Sequence, residues 1–191
     1  MYYICMKKIF IIIFVVFCVG FTPTQKQQII NHAKWQSTQN VTYDGRYISI
    51  AYPNGDVPSN IGVCTDVIIR AYRAIHIDLQ QLIHEDMLLA HKTYNKRYFT
   101  KNIDKNIDHR RTQNIQTFLH RKKTAIPITN NSVDYKPGDI VFWDIANGHV
   151  GIVIDKKVPN TNRYFIVHNI GNGPEIEDFL FKATIVDHFS W

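Results

Sequence analysis

The stretch Gly138-Asp139-Ile140-Val141-Phe142-Trp143-Asp144-Ile145-Ala146-Asn147-Gly148-His149-Val150-Gly151-Ile152-Val153-Ile154 decides the fold. Pro137-Gly138 is a turn, and the apolar run behind it reads as a strand. Asn147-Gly148 is a hairpin-type turn signal, so His149 to Ile154 becomes the next strand. Asp155 to Asn162, which contains Pro159, reads as a loop, and Arg163 to His168 as a third strand. The last third of the chain is therefore an antiparallel meander.

Working back toward the N-terminus, the pattern changes to helical. From Cys64 onward there is no Gly or Pro for many residues, and Val67, Ile68, Ala71, Tyr72 and Ile75 recur at helical spacing. Cys64 stands at the mouth of this helix, with Asp66 in its first turn, where an acidic residue suits the positive dipole end. Further helices are expected over Leu79 to Ala90 and, with Thr24 as N-cap, Thr24 to Gln36. A short helix is expected around Asn114 to His120. Tyr47 to Ala51 is a short alternating, strand-like piece between turn-rich segments. Tyr94 to Arg111 is polar and irregular. A helical half followed by an antiparallel sheet is the α+β class.

The first residues read differently. Lys7 and Lys8 precede the apolar run Ile9 to Phe17, and smaller residues follow from Cys18 to Gly20. This is the layout of a secretory signal peptide over residues 1–20, and the run is too short to span a bilayer unaided. Cleavage near Gly20 is the expectation, with retention as an anchor or lipidation of Cys18 as alternatives. Residues 21–191 then form a single domain without a transmembrane segment, exported to the periplasm or cell envelope and expected to be monomeric. The net charge of +6 comes from scattered basic residues, apart from Arg121-Lys122-Lys123. No Lys/Arg stripe that would track nucleic acid is present.

Of the three cysteines, Cys5 and Cys18 fall in the signal segment. A lone Cys64 in an exported chain is either a small buried hydrophobe or a reactive thiol. Its position favours the thiolate, because a helix N-terminus and a neighbouring imidazole both lower a thiol pKa. His149 is the leading base. If the Asp155–Asn162 loop is centred between Val158 and Pro159, His149 faces His168 directly on one side of the sheet. His168 would then orient the His149 ring, in the nucleophile–base–orienter logic of a triad, with Asn169 as the alternative orienter. Asp108-His109-Arg110-Arg111 offers guanidinium forks suited to a substrate carboxylate. The alternative there is a salt-bridged loop. No Cys/His spacing for structural zinc and no Gly-rich phosphate loop occurs, so neither metal nor cofactor is expected.

The segments Tyr52-Pro53-Asn54-Gly55-Asp56, Gly62-Val63-Cys64-Thr65-Asp66-Val67, Gly138 to Trp143 and His149-Val150-Gly151-Ile152-Val153 together resemble the NlpC/P60 cell-wall cysteine peptidases. More closely, Val41 to His188 resembles the bacterial domain of unknown function 1287 family. That likeness runs through Gly62 to Asp66, His84-Glu85-Asp86-Met87, Asn106 to Arg111, and His168-Asn169-Ile170-Gly171 with Gly173-Pro174. The resemblance implies a papain-like fold with Cys64, His149 and His168 in catalytic places, and Tyr52 walling the site. The chain departs from the NlpC/P60 pattern at Asp66, where a small Gly is usual.

The expectation is an exported cysteine hydrolase cleaving amide bonds in peptidoglycan peptides or a similar envelope substrate. Cys64, His149 and His168 would be catalytic; Tyr52, Asp66, Arg110, Arg111 and Asn169 would be substrate-binding. A non-catalytic ligand-binding module and a thiol acyltransferase are the alternatives.

Overall fold

The computed structural model describes residues 21–94 and 102–191. Residues 1–20, read as a signal peptide, lie outside the described residues, as does part of the polar middle stretch. Four α-helices precede a five-stranded antiparallel sheet of strand order β6-β5-β4-β3-β7. The α+β class read from the sequence is the class observed. Among the described residues no helix is long and apolar enough to cross a membrane.

Helix α1 spans Pro23–Gln36 and begins earlier than expected. Thr22, not Thr24, is the cap: its hydroxyl accepts the Gln25 N–H while the Gln25 side chain accepts the Thr22 N–H. This is a capping box, and Pro23 at the first helical position completes it. Helix α2 (Cys64–Arg73) buries Val67, Ile68, Ala71 and Tyr72. Helix α3 (Leu79–Ala90) is capped by Asp78, whose carboxylate accepts the Gln80 N–H at 3.0 Å. Helix α4 (Thr112–Arg121) contains the expected short helix and extends it at both ends.

A two-residue parallel ladder, β1 (Thr42–Tyr43) with β2 (Ile61–Gly62), leads into α2. Tyr47 to Ala51, expected as a strand, has no ladder partner. Side chains hold it instead: Tyr47 donates its hydroxyl to Asp104, and Asn106 accepts the Ile50 N–H.

The main sheet consists of β3 (Ile140–Trp143), β4 (His149–Lys157), β5 (Tyr164–Asn169), β6 (Pro174–Glu177) and β7 (Ile185–Phe189). The two alternating faces of its strands enter different cores. Ile140, Phe142, Val150, Ile152, Ile154 and Val167 pack with the helices, and α1 and α2 both contact β4. Val141, Trp143, Val153 and Ile166 pack with Tyr135, Phe179 and Leu180 on the other side. The segment that runs from β6 to β7 thus supplies a lid over the second face. Neither β6 nor β7 was expected from the sequence pattern.

The β4–β5 register differs from the expected one. His168 pairs with Gly151, not with His149. The turn sits further along the chain, where the Val158 N–H donates to the Arg163 carbonyl, and an irregularity between Val153 and Lys157 shifts the ladder. The shift is even, so His149 and His168 keep the same face and become diagonal neighbours.

Candidate active site

Cys64 is the first residue of α2 and is buried, at 6 % exposure. Three contacts fix the backbone that delivers it. Asp66 accepts the Val63 N–H at 2.7 Å, and Asn169 donates its amide to the Gly62 carbonyl at 3.2 Å. Gly62 lies so close to α2 that an added Cβ would meet the Asp66 and Arg70 side chains at 3.3 Å. The backbone N–H groups of Val150 on β4 and of Thr65 are near enough to the sulfur to favour its charged form. Cys64 packs with Val150 in the helix-side core, whereas His149 lies on the other face of β4 against Trp143 and Phe179.

Burial pushes the Cys64 thiol up to about 11, and the nearby Asp66 carboxylate adds to the rise. The helix mouth was expected to lower it. Desolvation outweighs the dipole here because the charged form loses water on every side. Burial likewise depresses His149 to about 3 and His168 to about 4. The resting site is a neutral thiol among neutral imidazoles.

His149 Nε2 lies 2.8 Å from His168 Nδ1, and His168 Nε2 lies 3.1 Å from a Glu177 oxygen. The proton positions follow from donor counting. An ionised carboxylate only accepts, so His168 carries its hydrogen on Nε2 and presents a bare Nδ1. His149 must then donate from Nε2, which leaves its Nδ1 as a free base. Phe179 closes over both rings, with centroids 5.6 Å from His149 and 4.2 Å from His168. Gly151 makes the arrangement possible: a Cβ there would fall 2.6 Å from Ile166 Cγ2 and 3.1 Å from His168 Cβ.

Asp66 and Arg110 spend their charges on each other. Arg110 Nε and Nη2 both donate to the Asp66 carboxylate at 2.8 Å, and both residues are buried. Arg110 also donates to the carbonyls of Asp44 and Arg46. The pair ties the Asp108–Arg110 turn and the loop after β1 to α2. Arg111 is exposed and lines a cleft of about 360 Å³ with Cys64, Tyr43, Gln113 and Gly148.

Tyr52 is elsewhere, packed edge-on against His84 of α3 with ring centroids 5.0 Å apart. Tyr43 walls the cleft instead, and its phenol is pushed up by burial and by Cys64. Asn169 supports the α2 approach and is not the His149 orienter.

Tyr43 and Glu177 were missed from the sequence. A signal for Glu177 existed in Ile170-Gly171-Asn172-Gly173, which reads as a hairpin loop that returns Pro174 to Glu177 along β5. Glu175 pairs with His168 in that hairpin, and one ligand atom each from His168, Glu175 and Glu177 lie within 4.8 Å of one another.

These features define an α+β protein with a buried thiol at a helix mouth and a histidine–histidine–glutamate chain on the adjoining sheet. The chain belongs to the family described as Domain of unknown function (DUF1287), which it matches over residues 30–191. It is 41 % identical over 165 residues to the Uncharacterized protein YijF of Escherichia coli (strain K12), covering 85 % of this chain and 80 % of that protein. No solved structure matches it.

Proposed function

We propose that the chain is an exported cysteine hydrolase of papain-like type, cleaving amide bonds in murein peptides or a similar envelope substrate. The observation that carries this reading is the directed chain His149–His168–Glu177, which leaves one bare imidazole nitrogen on β4, the strand against which α2 and its Cys64 pack. Cys64 gives its proton to His149 Nδ1 as its sulfur attacks the carbonyl carbon. The imidazolium so formed donates through His168 toward Glu177, whose negative charge offsets it. N–H groups at the mouth of α2 face the developing oxyanion. His149 then returns the proton to the leaving amine, and water releases the acyl group from the sulfur.

Because burial favours the neutral thiol, proton transfer accompanies attack rather than preceding it. Arg111 at the cleft rim suits a substrate carboxylate. The envelope substrate and export rest on the N-terminal segment and on the likeness to NlpC/P60 peptidases.

The test is release of new amines from purified murein. Activity present in the wild-type chain should fall by about a thousandfold or more in Cys64→Ala and His149→Ala. Murein binding without amine release would instead identify a binding module. Amide formation with an added amine would identify an acyltransferase.

A further inference from the structure

The β5–β6 hairpin gathers two carboxylates onto the outer nitrogen of His168. Glu175 pairs directly with His168 and Glu177 is its diagonal neighbour, so all three share one face. One ligand atom from each lies within 4.8 Å of the other two. His168 is fully buried, and its bond to His149 fixes the ring so that Nε2 points at the glutamates. Both glutamates are only half-buried and so remain open to solvent. Like charges held side by side repel, and Glu175 is pushed up by burial and by Glu177. The positive group whose field reaches both His168 and Glu175 is Lys182.

We propose that His168, Glu175 and Glu177 form a divalent-metal site of the zinc class, whose filling reverses the tautomers of His168 and His149. One imidazole nitrogen with two carboxylate oxygens is a zinc-type donor set, with the fourth position left to water. Zinc–ligand bonds of about 2.0–2.2 Å place neighbouring tetrahedral ligand atoms about 3.3–3.6 Å apart. His168 and Glu177 already stand at 3.1 Å. Glu175 closes the site by a side-chain swing.

The consequence follows from proton counting. A metal takes the lone pair of His168 Nε2, so its hydrogen must sit on Nδ1. That nitrogen then donates to His149 Nε2, and His149 carries its own hydrogen on Nδ1. His149 Nδ1 is then no longer a free base. No redox step is involved: one proton leaves His168 Nε2 for solvent, the His149 Nε2 proton passes to His168 Nδ1, and one proton from solvent binds His149 Nδ1, so the pair neither gains nor loses a proton overall. Only this last effect, loss of the base, rests on the hydrolase reading; the site and the tautomer change do not.

Zinc titrated against a chromophoric chelator, with 15N spectra of labelled histidines, tests this without substrate. The expected result is one zinc bound, affinity at least about tenfold weaker in Glu175→Gln and Glu177→Gln, and affinity retained in Cys64→Ser. The His149 hydrogen should move from Nε2 to Nδ1 on zinc addition. Binding lost in Cys64→Ser but kept in both glutamine variants would place the metal at the thiol and overturn the proposal. So would no uptake by the wild-type chain, or uptake with unchanged tautomers. Because neither readout uses hydrolysis, failure of the metal site and failure of the enzyme reading are separately visible.

Discussion

At the scale of single residues, Asp66 and Arg110 form a buried ion pair at the mouth of α2. A carboxylate in the first turn of a buried helix would be costly alone. Arg110 meets both of its oxygens, and the same carboxylate holds the Val63 N–H. Arg110→Ala leaves a buried unpaired charge, and urea unfolding should show a loss of about 3–5 kcal/mol. Adding Asp66→Asn to that variant should return part of the loss, because the charge is gone. The same pair engages the charges of two residues expected at the substrate, while Arg110 still lines the cleft with Cys64. Sequence alone placed Asp66 and Arg110 near Cys64, but their partnership crosses 44 positions of chain and has no local signature.

At the scale of elements, the β4–β5 hairpin positions the imidazoles. Local patterning identified both strands and the face shared by His149 and His168. It missed the pairing because the turn position and the irregularity before Lys157 depend on packing across the sheet. Gly151 is the element's tightest point. Gly151→Ala should push β5 away from β4 and cost about 1–3 kcal/mol, and under the proposed hydrolase activity it should lower kcat through the displaced His168. Comparing urea midpoints and turnover on murein checks this. A folded variant with unchanged kcat would show that the His149–His168 contact does not set the rate. Helix α2 was legible for the opposite reason: its apolar period and the Gly62 loop before it are local, and so is the place of Cys64 at its mouth.

At the scale of the whole molecule, buried neutral histidines tie stability to pH. Burial lowers His149 to about 3, His168 to about 4 and His109 to about 4, from an ordinary 6.5. Below pH 6.5 the unfolded chain takes up protons that the folded one refuses, so stability falls as pH falls. Each such histidine contributes up to about 1.4 kcal/mol per pH unit. The urea midpoint should therefore drop between pH 6.5 and about 5, before most carboxylates titrate. His168→Asn should make that slope shallower, since one of the histidines that resists protonation in the fold is removed.

The sequence by itself determined the α+β class, the helix that opens on Cys64, the two strands of the hairpin and the common face of its histidines. These follow from periodicity and turn chemistry, which act over a few residues. Tertiary structure decided what surrounds them. Packing of α2 against β4 buries the thiol, so that desolvation overrides the helix dipole. Return of β6 along β5 brings Glu177 to His168, and the loop after β1 brings Tyr43, not Tyr52, to the cleft. Each of these joins residues far apart in the chain, and only closure of the core fixes such distances.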